Sequence, residues 1–429
     1  MATNASSSST STTMPLMILP HFRLSEVFDR FSDVTPVPQD DGPHLVCKID
    51  YPPNFSQVYD VFRACLQTNE TTSDRVLGLT ALCLEQNPAN YTVWHVRRQC
   101  LAQWSLSNNI SNNNSNSSNY SWLPQELEYT ASLAGSNPKN YQIWYHRRSL
   151  LQQLVNLTTT TASENQQQPT SLLLSYQAPE LEYINSVLNV DGKNYHAWSH
   201  RQWLVLTLHN IIQQQNNSTS ATDSLWQAEL QFTERLITLD IRNNSAWNHR
   251  WFASHRGNAK KQSLLSDVDL KREVNYALDQ IEKDPFNESS CRYLVALLRK
   301  SNNTNSKNVD SMISSSSLLQ LLPSLIEDCL TKLHELATEY KDAAPLLSAC
   351  ADLCETRATL SPSLSLSSSV GANSGSEEPD WILEQASQHL NTLIQVDPIR
   401  IKYWEWRLEQ LNIRMIASNS NSMEKDESS

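Results

Sequence analysis

The sequence predicts an all-α solenoid of stacked helical hairpins, and three observations predict it. A Trp is followed three residues later by an Arg five times: Trp94/Arg97, Trp144/Arg147, Trp198/Arg201, Trp247/Arg250 and Trp404/Arg407. Four of the five copies carry an Asn four positions before the Trp, namely Asn90, Asn140, Asn194 and Asn243. Amphipathic runs precede the copies; in EVNYALDQIEKDP, Val274, Ala277, Leu278 and Ile281 fall at helical spacing. Recurrence of this kind marks a helical repeat whose units bury their apolar faces only by stacking.

Each part of the repeat has a local reason. Asn is a strong N-cap, so it marks the start of a helix on which Trp and Arg, three apart, share a face. Pro88, Pro138, Pro285 and Pro398 stand two residues before the cap position and close the preceding helix. Every unit therefore reads as helix, tight turn, helix. The Trp is expected to fill the groove between hairpins. The Arg residues, at one register, are expected to line a surface with positive potential suited to an anionic ligand or an acidic partner. A sixth copy, PFNESSCRYL, keeps Asn287 but has Cys291 and Leu294 in the Trp and Arg positions, which is expected to weaken a packing contact.

Composition agrees with a large buried core. The chain has 429 residues and 39% hydrophobic content, and no stretch approaches the roughly 18 apolar residues of a membrane span. MPLMILP is too short for a span and lacks the basic residue that would precede it in a signal peptide, so a cytoplasmic location is expected. The net charge of −12 argues against general nucleic-acid binding. Eight Cys without a CxxC pair read as reduced thiols, and Cys350 and Cys354, on one helix face, as small buried hydrophobes.

The repeats are interrupted. Residues 1–20 form a disordered Ser/Thr-rich N-terminus and residues 418–429 a disordered tail in this reading. Between them, 21–417 is one repeat domain with low-complexity insertions at about 105–121, 158–171, 213–223, 301–317 and 361–378. These lengthen the Trp-to-Trp spacing, and most fall at connections between units, where extra chain costs little.

No self-sufficient active site is present. His196 and His200 are one helical turn apart, but the residues between them lack the Glu of a zinc-protease helix and no third ligand is evident. The chain has no GxGxxG, Walker or GxSxG motif and only 7 Gly, which argues against phosphate-cradling loops. No metal ligand set is expected in this chain.

Particular strings carry a resemblance: VTPVPQDDGPHLVCKIDYPPNFSQVYDVFRACLQ, ANYTVWHVRR, PKNYQIWYHRR, DGKNYHAWSHRQW, DIRNNSAWNHRWF and DPIRIKYWEWR. Together they resemble the α-subunit shared by protein farnesyltransferase and type I protein geranylgeranyltransferase. The resemblance covers nearly everything from about residue 28 to about residue 412 except the insertions. It implies a right-handed superhelix shaped as a crescent, wrapped around the β-subunit of farnesyltransferase or of type I geranylgeranyltransferase. It implies transfer of a farnesyl or geranylgeranyl group from its diphosphate to the Cys of a C-terminal CaaX motif, as on small GTPases. Zinc, held by the β-subunit, and magnesium, for farnesyl transfer, are the implied cofactors.

The Lys that the resemblance implies for the diphosphate leaving group is Lys193, in DGKNYHAW. Lys139 and Arg242 occupy the same position relative to their Trp, so repeat geometry alone does not choose among the three. Tyr195 is implied near the peptide or diphosphate. Arg201, Asn243 and Trp247 match family positions too, and the expected roles are structural: a partner for a carboxylate, a helix cap and a groove filler. His249 and Trp251 stand where the family usually shows Gln and Tyr or His, which leaves a site role for Trp251 open. The alternatives are a TPR-like scaffold without catalysis, disfavoured by the scarcity of Gly, and the α-like subunit of a Rab-type or orphan prenyltransferase.

Overall fold

The computed structural model describes residues 19–44, 46–47, 49–111, 122–160, 168–216, 219–256, 265–302, 315–360 and 380–426. Among the described residues every regular element is helical. The N-terminus expected to be disordered lies, up to residue 18, outside them, as do the centres of the insertions. Helices reach into the flanks of the insertions, and the last helix continues to Asp426, past the boundary expected at 417.

The chain divides into two compact units after Asn216. The first holds α1 (Val27–Arg30), α2 (Pro53–Gln67), α3 (Asp74–Gln86), α4 (Tyr91–Ser111), α5 (Leu123–Ser136), α6 (Tyr141–Thr160), α7 (Gln168–Val190) and α8 (Tyr195–Asn216). The second holds α9 (Thr219–Leu239), α10 (Asn244–Arg256), α11 (Asp267–Lys283), α12 (Glu288–Asn302), α13 (Ser315–Glu339), α14 (Ala344–Ala358), α15 (Asp380–Val396) and α16 (Ile401–Asp426). From α3 onward the helices pair as hairpins. Second helices pack on second helices within a unit, α4 on α6 and α6 on α8, α10 on α12 and α12 on α14.

The Trp position is the fourth residue of each second helix, and its indole closes the turn behind it. Nε1 of Trp94, Trp144, Trp198 and Trp247 donates to the carbonyl of Pro88 (2.8 Å), Pro138 (3.0 Å), Gly192 (3.0 Å) and Ile241 (2.8 Å). All four rings are buried, as expected of groove fillers. The hydrogen bond explains why Trp stands here and not Leu: a buried indole N–H needs an acceptor, and the turn offers a carbonyl that no helix uses. In the last hairpin the acceptor is a carboxylate, with Trp404 Nε1 2.9 Å from Asp397 Oδ2.

The Arg residues do not form a basic surface. Arg97, Arg147, Arg201, Arg250 and Arg407 are all buried, which overturns the expectation of a positive stripe. Arg97 Nε and Nη2 fork onto both oxygens of Glu126 on α5 (2.7 and 2.6 Å), while Nη1 reaches Leu77 O and Thr80 Oγ1 on α3. Arg147 makes the same set with Glu180 (2.7 and 2.7 Å), Leu127 O and Thr130 Oγ1. Arg250 forks onto Glu273. Each Glu is held from the other side by the residue two after the Trp position of its own hairpin. Those residues are His146 on Glu126 (2.8 Å), His200 on Glu180 (2.7 Å), His249 on Glu229 (2.7 Å) and Tyr293 on Glu273 (2.7 Å). A fully hydrogen-bonded guanidinium–carboxylate fork is the arrangement under which burial of both charges is tolerable.

The clamp begins and ends as a set. In the first hairpin, which receives no Arg from an earlier one, the Glu and His positions are Val76 and Val96, both buried. Between α12 and α13–α14 the Arg, Glu and His positions are Leu294, Cys329 and Ala349, again buried. All three polar members are exchanged together, which leaves no orphaned charge. The sixth copy is therefore an apolar version of the same interface, and Tyr293 keeps its other side joined to Glu273.

His146 is neutral in the clamp. Burial pushes its imidazole below the ordinary value against the pull of Glu126, and its Nδ1 is buried with no hydrogen-bond partner, so a proton placed there would find no acceptor. Burial alone would raise the Glu126 and Glu180 carboxyls, but Arg97 with His146 and Arg147 with His200 overcome it and hold each at about 2.

Two outcomes follow for stability. Arg147→Ala strands Glu180 and is expected to cost about 3–5 kcal/mol in denaturant unfolding, whereas replacing Arg147, Glu180 and His200 together by Leu, Leu and Ala should recover much of the loss. The pH dependence has one sign. The depressed His146 and Glu groups bind fewer protons folded than unfolded, so their stabilisation is complete above about 6.5 and is lost as pH falls toward about 2. Urea midpoints should drop steadily from pH 7 to pH 3, and Glu126→Gln with Glu180→Gln should flatten the part below about 4.5.

Candidate functional site

The turns joining first to second helices share one tetrapeptide pattern, and the turn before α8 is Asp191-Gly192-Lys193-Asn194. Asp191 ends α7, and its Oδ1 accepts the Lys193 backbone N–H at 3.1 Å. Asn194 starts α8, its Oδ1 accepting the N–H of Ala197 at 3.1 Å. Its Nδ2 reaches the Pro138 carbonyl of the preceding turn at 3.2 Å, an oxygen that also receives the Trp144 indole. Asn287 Nδ2 repeats this bond on Ile241 O at 2.8 Å. At these two turns the cap Asn does more than the sequence predicts: it straps the turn to the one before it.

The residue preceding the cap stands outermost in each turn. At three successive turns it is cationic: Lys139, Lys193 and Arg242. Lys139 Nζ lies 3.7 Å from Asp191 Oδ2, and Arg242 lies 2.6 and 2.9 Å from the Asp284 oxygens, each a carboxylate of the following turn. Lys193 is exposed. Beside these cations stand the first residues of the second helices, Tyr91, Tyr141 and Tyr195, at 71%, 68% and 70% exposure. Tyr195 is therefore no packing residue. His196 sits between two of them, edge-on to Tyr141 at 4.2 Å and to Tyr195 at 5.6 Å. Burial pushes its imidazole below the ordinary value, against a hydrogen bond with the Lys139 backbone.

The predicted site residues separate into two groups. Lys193 and Tyr195 project from one turn. Arg201 is buried in α8, with Nη1 2.9 Å from Asn185 Oδ1. Asn243 and Trp247 belong to the turn before α10, where Asn243 Oδ1 accepts the N–H groups of Ser245 (3.1 Å) and Ala246 (3.2 Å) and Trp247 is buried. All three side chains are buried, and the Arg201 contact at Asn185 is with an amide where a carboxylate was expected. Trp251 is half-buried and packs on His255 and Tyr293. His196 and His200 do not converge, since His200 is engaged by Glu180. The acids of the clamp escaped the sequence reading, although each stands 20 residues before its His or Tyr partner, a constant interval that would reveal them.

Four stretches of this chain, 73–104, 123–154, 179–208 and 226–256, match the family described as protein prenyltransferase alpha subunit repeat. These four stretches are similar to prenyltransferase alpha subunit repeats. They coincide with the hairpins from α3 to α10, and the same geometry continues through α11 and α12 beyond the matched stretches. A 71-residue stretch is 54% identical to the protein farnesyltransferase/geranylgeranyltransferase type-1 subunit alpha of Pisum sativum, covering 17% of this chain and 21% of that one. A 71-residue stretch is 46% identical to the protein of the same name from Dictyostelium discoideum, covering 17% of this chain and 22% of that one. The matched stretch thus spans about a fifth of the length of these relatives. Among solved structures, a chain of Candida albicans protein geranylgeranyltransferase-I complexed with GGPP superposes with a TM-score of 0.58 at 23% identity, over 89% of this chain and 98% of that chain, a likeness of fold. No helix among the described residues is long and apolar enough to cross a membrane.

Asn194→Ala removes both a cap and a strap. It should cost about 1–2 kcal/mol and speed amide exchange at Tyr195 to Ala197.

Proposed function

We propose that the chain is the α-subunit of a cytoplasmic heterodimeric protein prenyltransferase, pairing with a β-subunit of the farnesyltransferase or type I geranylgeranyltransferase kind. The reaction would transfer a farnesyl or geranylgeranyl group from its diphosphate to the Cys of CaaX proteins. The observation that carries this reading is the 54% identity over 71 residues to an α-subunit of that name, on a chain with four stretches similar to prenyltransferase repeats. In this reading zinc belongs to the β-subunit and supplies an activated thiolate, and magnesium assists with the diphosphate.

This chain's share of the chemistry is positioned charge. The Asp191, Asn194 and Trp198 hydrogen bonds fix the turn backbone, so Lys193 is presented from a rigid base on a flexible stem. A compact ammonium can follow a phosphate oxygen as negative charge builds on the leaving group, and such stabilisation acts mainly in the transition state. Tyr195, exposed beside it, would hold the diphosphate or the peptide by its hydroxyl. Arg201, Asn243 and Trp247 keep the supporting helices in register.

The test is single-turnover transfer to a CaaX peptide by the purified heterodimer. Lys193→Ala is expected to slow the chemical step by about 10²-fold with assembly intact, whereas Lys139→Ala leaves it nearly unchanged. Equal rates for the two variants would remove the role given to Lys193. Failure to form a complex with a β-subunit, or a complex without transfer, would remove the transferase reading itself.

A further inference from the structure

At the interface of α13, α14 and α15 the repeat carries different chemistry. Cys350 stands in the Arg position of its hairpin, three residues after Leu347, which holds the Trp position. His389 stands fifteen residues before Trp404. That is the place of Tyr129, Tyr183 and Tyr276 before Trp144, Trp198 and Cys291. Elsewhere those Tyr rings lie under the Arg of the preceding hairpin, with guanidinium-to-centroid distances of 4.4, 3.8 and 3.5 Å. His334 stands thirteen residues before Leu347, the place of Asn185 before Trp198, and Asn185 touches Arg201. Three residues that surround or supply the Arg in other hairpins are thus exchanged here for His, Cys and His.

The exchange brings three donor atoms together. His334 Nε2 and His389 Nε2 are 2.9 Å apart, and the donor atoms of His334, Cys350 and His389 all lie within 4.8 Å of one another. Cys350 is buried and the two His are half-buried, so the site is shielded from one side and reached by solvent from the other. A hydrogen bond between two neutral imidazoles accounts for the 2.9 Å contact but not for the convergence of the thiol.

We propose that His334, Cys350 and His389 bind a zinc ion that clips α13, α14 and α15 together, with a water as fourth ligand. Two imidazoles and one thiolate are a donor set that suits zinc. Tetrahedral zinc, with about 2.0–2.1 Å to nitrogen and about 2.3 Å to sulfur, needs its donors roughly 3.3–3.6 Å apart. The two nitrogens would open by a few tenths of an ångström and the sulfur would close by at most about 1.2 Å, movements that side-chain torsions supply. On binding, the Cys350 S–H bond breaks, the S–Zn bond forms and the proton leaves to solvent. The imidazole proton that sat between the rings moves to Nδ1. The sequence reading expects no metal in this chain because the three ligands come from separate helices and no short motif unites them.

The test uses the full-length chain, stripped with a chelator and titrated with zinc and with cobalt. One zinc per chain with a dissociation constant at or below about 1 µM is expected, and cobalt should give a thiolate charge-transfer band with the visible bands of a tetrahedral centre. Cys350→Ser and His389→Gln should each weaken binding by about tenfold or more, while Cys354→Ser, one turn away, should not. No binding by the folded wild-type chain, or binding unaltered in both ligand variants, would overturn the proposal. Should either variant fail to fold, the wild-type cobalt spectrum decides: six-coordinate bands without charge transfer refute it.

Discussion

The buried clamp of Arg, Glu and His sets the terms for the rest of the molecule. Two charges taken out of water are tolerable only if every hydrogen bond is made. Arg147 illustrates how the chain meets that condition: its fork binds Glu180 on α7, its third nitrogen binds Leu127 O and Thr130 on α5, and Glu180 is completed by His200 on α8. One guanidinium on α6 thereby fixes the register of three other helices. A slip of one residue along any of them would strand a charge, and no comparable penalty comes from Leu sliding past Leu. Such a clamp specifies an arrangement more than it adds stability.

The same logic explains how the repeat varies. Because an isolated charge is intolerable, the clamp changes by whole sets. It is absent at Val76 and Val96, where no Arg precedes, and apolar at Leu294, Cys329 and Ala349. In the last described hairpin Arg407 turns back to Glu355 and to Asp352 at 2.8 Å, the latter a buried carboxylate also bound by Arg292 and Arg299. The His334, Cys350 and His389 cluster is a third kind of set, one whose members can share a cation supplied from solution.

The turns separate architecture from function. Their backbone is held by Asp or Asn caps, the Trp indole and the cross-turn amide of Asn, none of which uses the side chain before the cap. That residue is therefore free to vary as Ala89, Lys139, Lys193, Arg242 and Phe286 without disturbing the hairpin. A repeat protein can place a new side chain at such a position without altering the hairpin, and Lys193 stands at one.

Much of this was legible in the sequence. The Asn caps, the Pro stops, the buried Trp and the hairpin order follow from local rules, because capping and a 3.6-residue period act within a few residues. The fate of the Arg residues was not legible, and a positive surface was the wrong inference. Arg97, Arg147 and Arg250 find their Glu 29, 33 and 23 residues away, an interval that each connection resets, so no fixed spacing announces the pair. The converging His334, Cys350 and His389 were hidden for the same reason. The sequence by itself determined where the second helices begin and that their Trp is buried. Tertiary packing alone decided which buried charge meets which partner, since helices separated by insertions of variable length meet only after the hairpins have stacked.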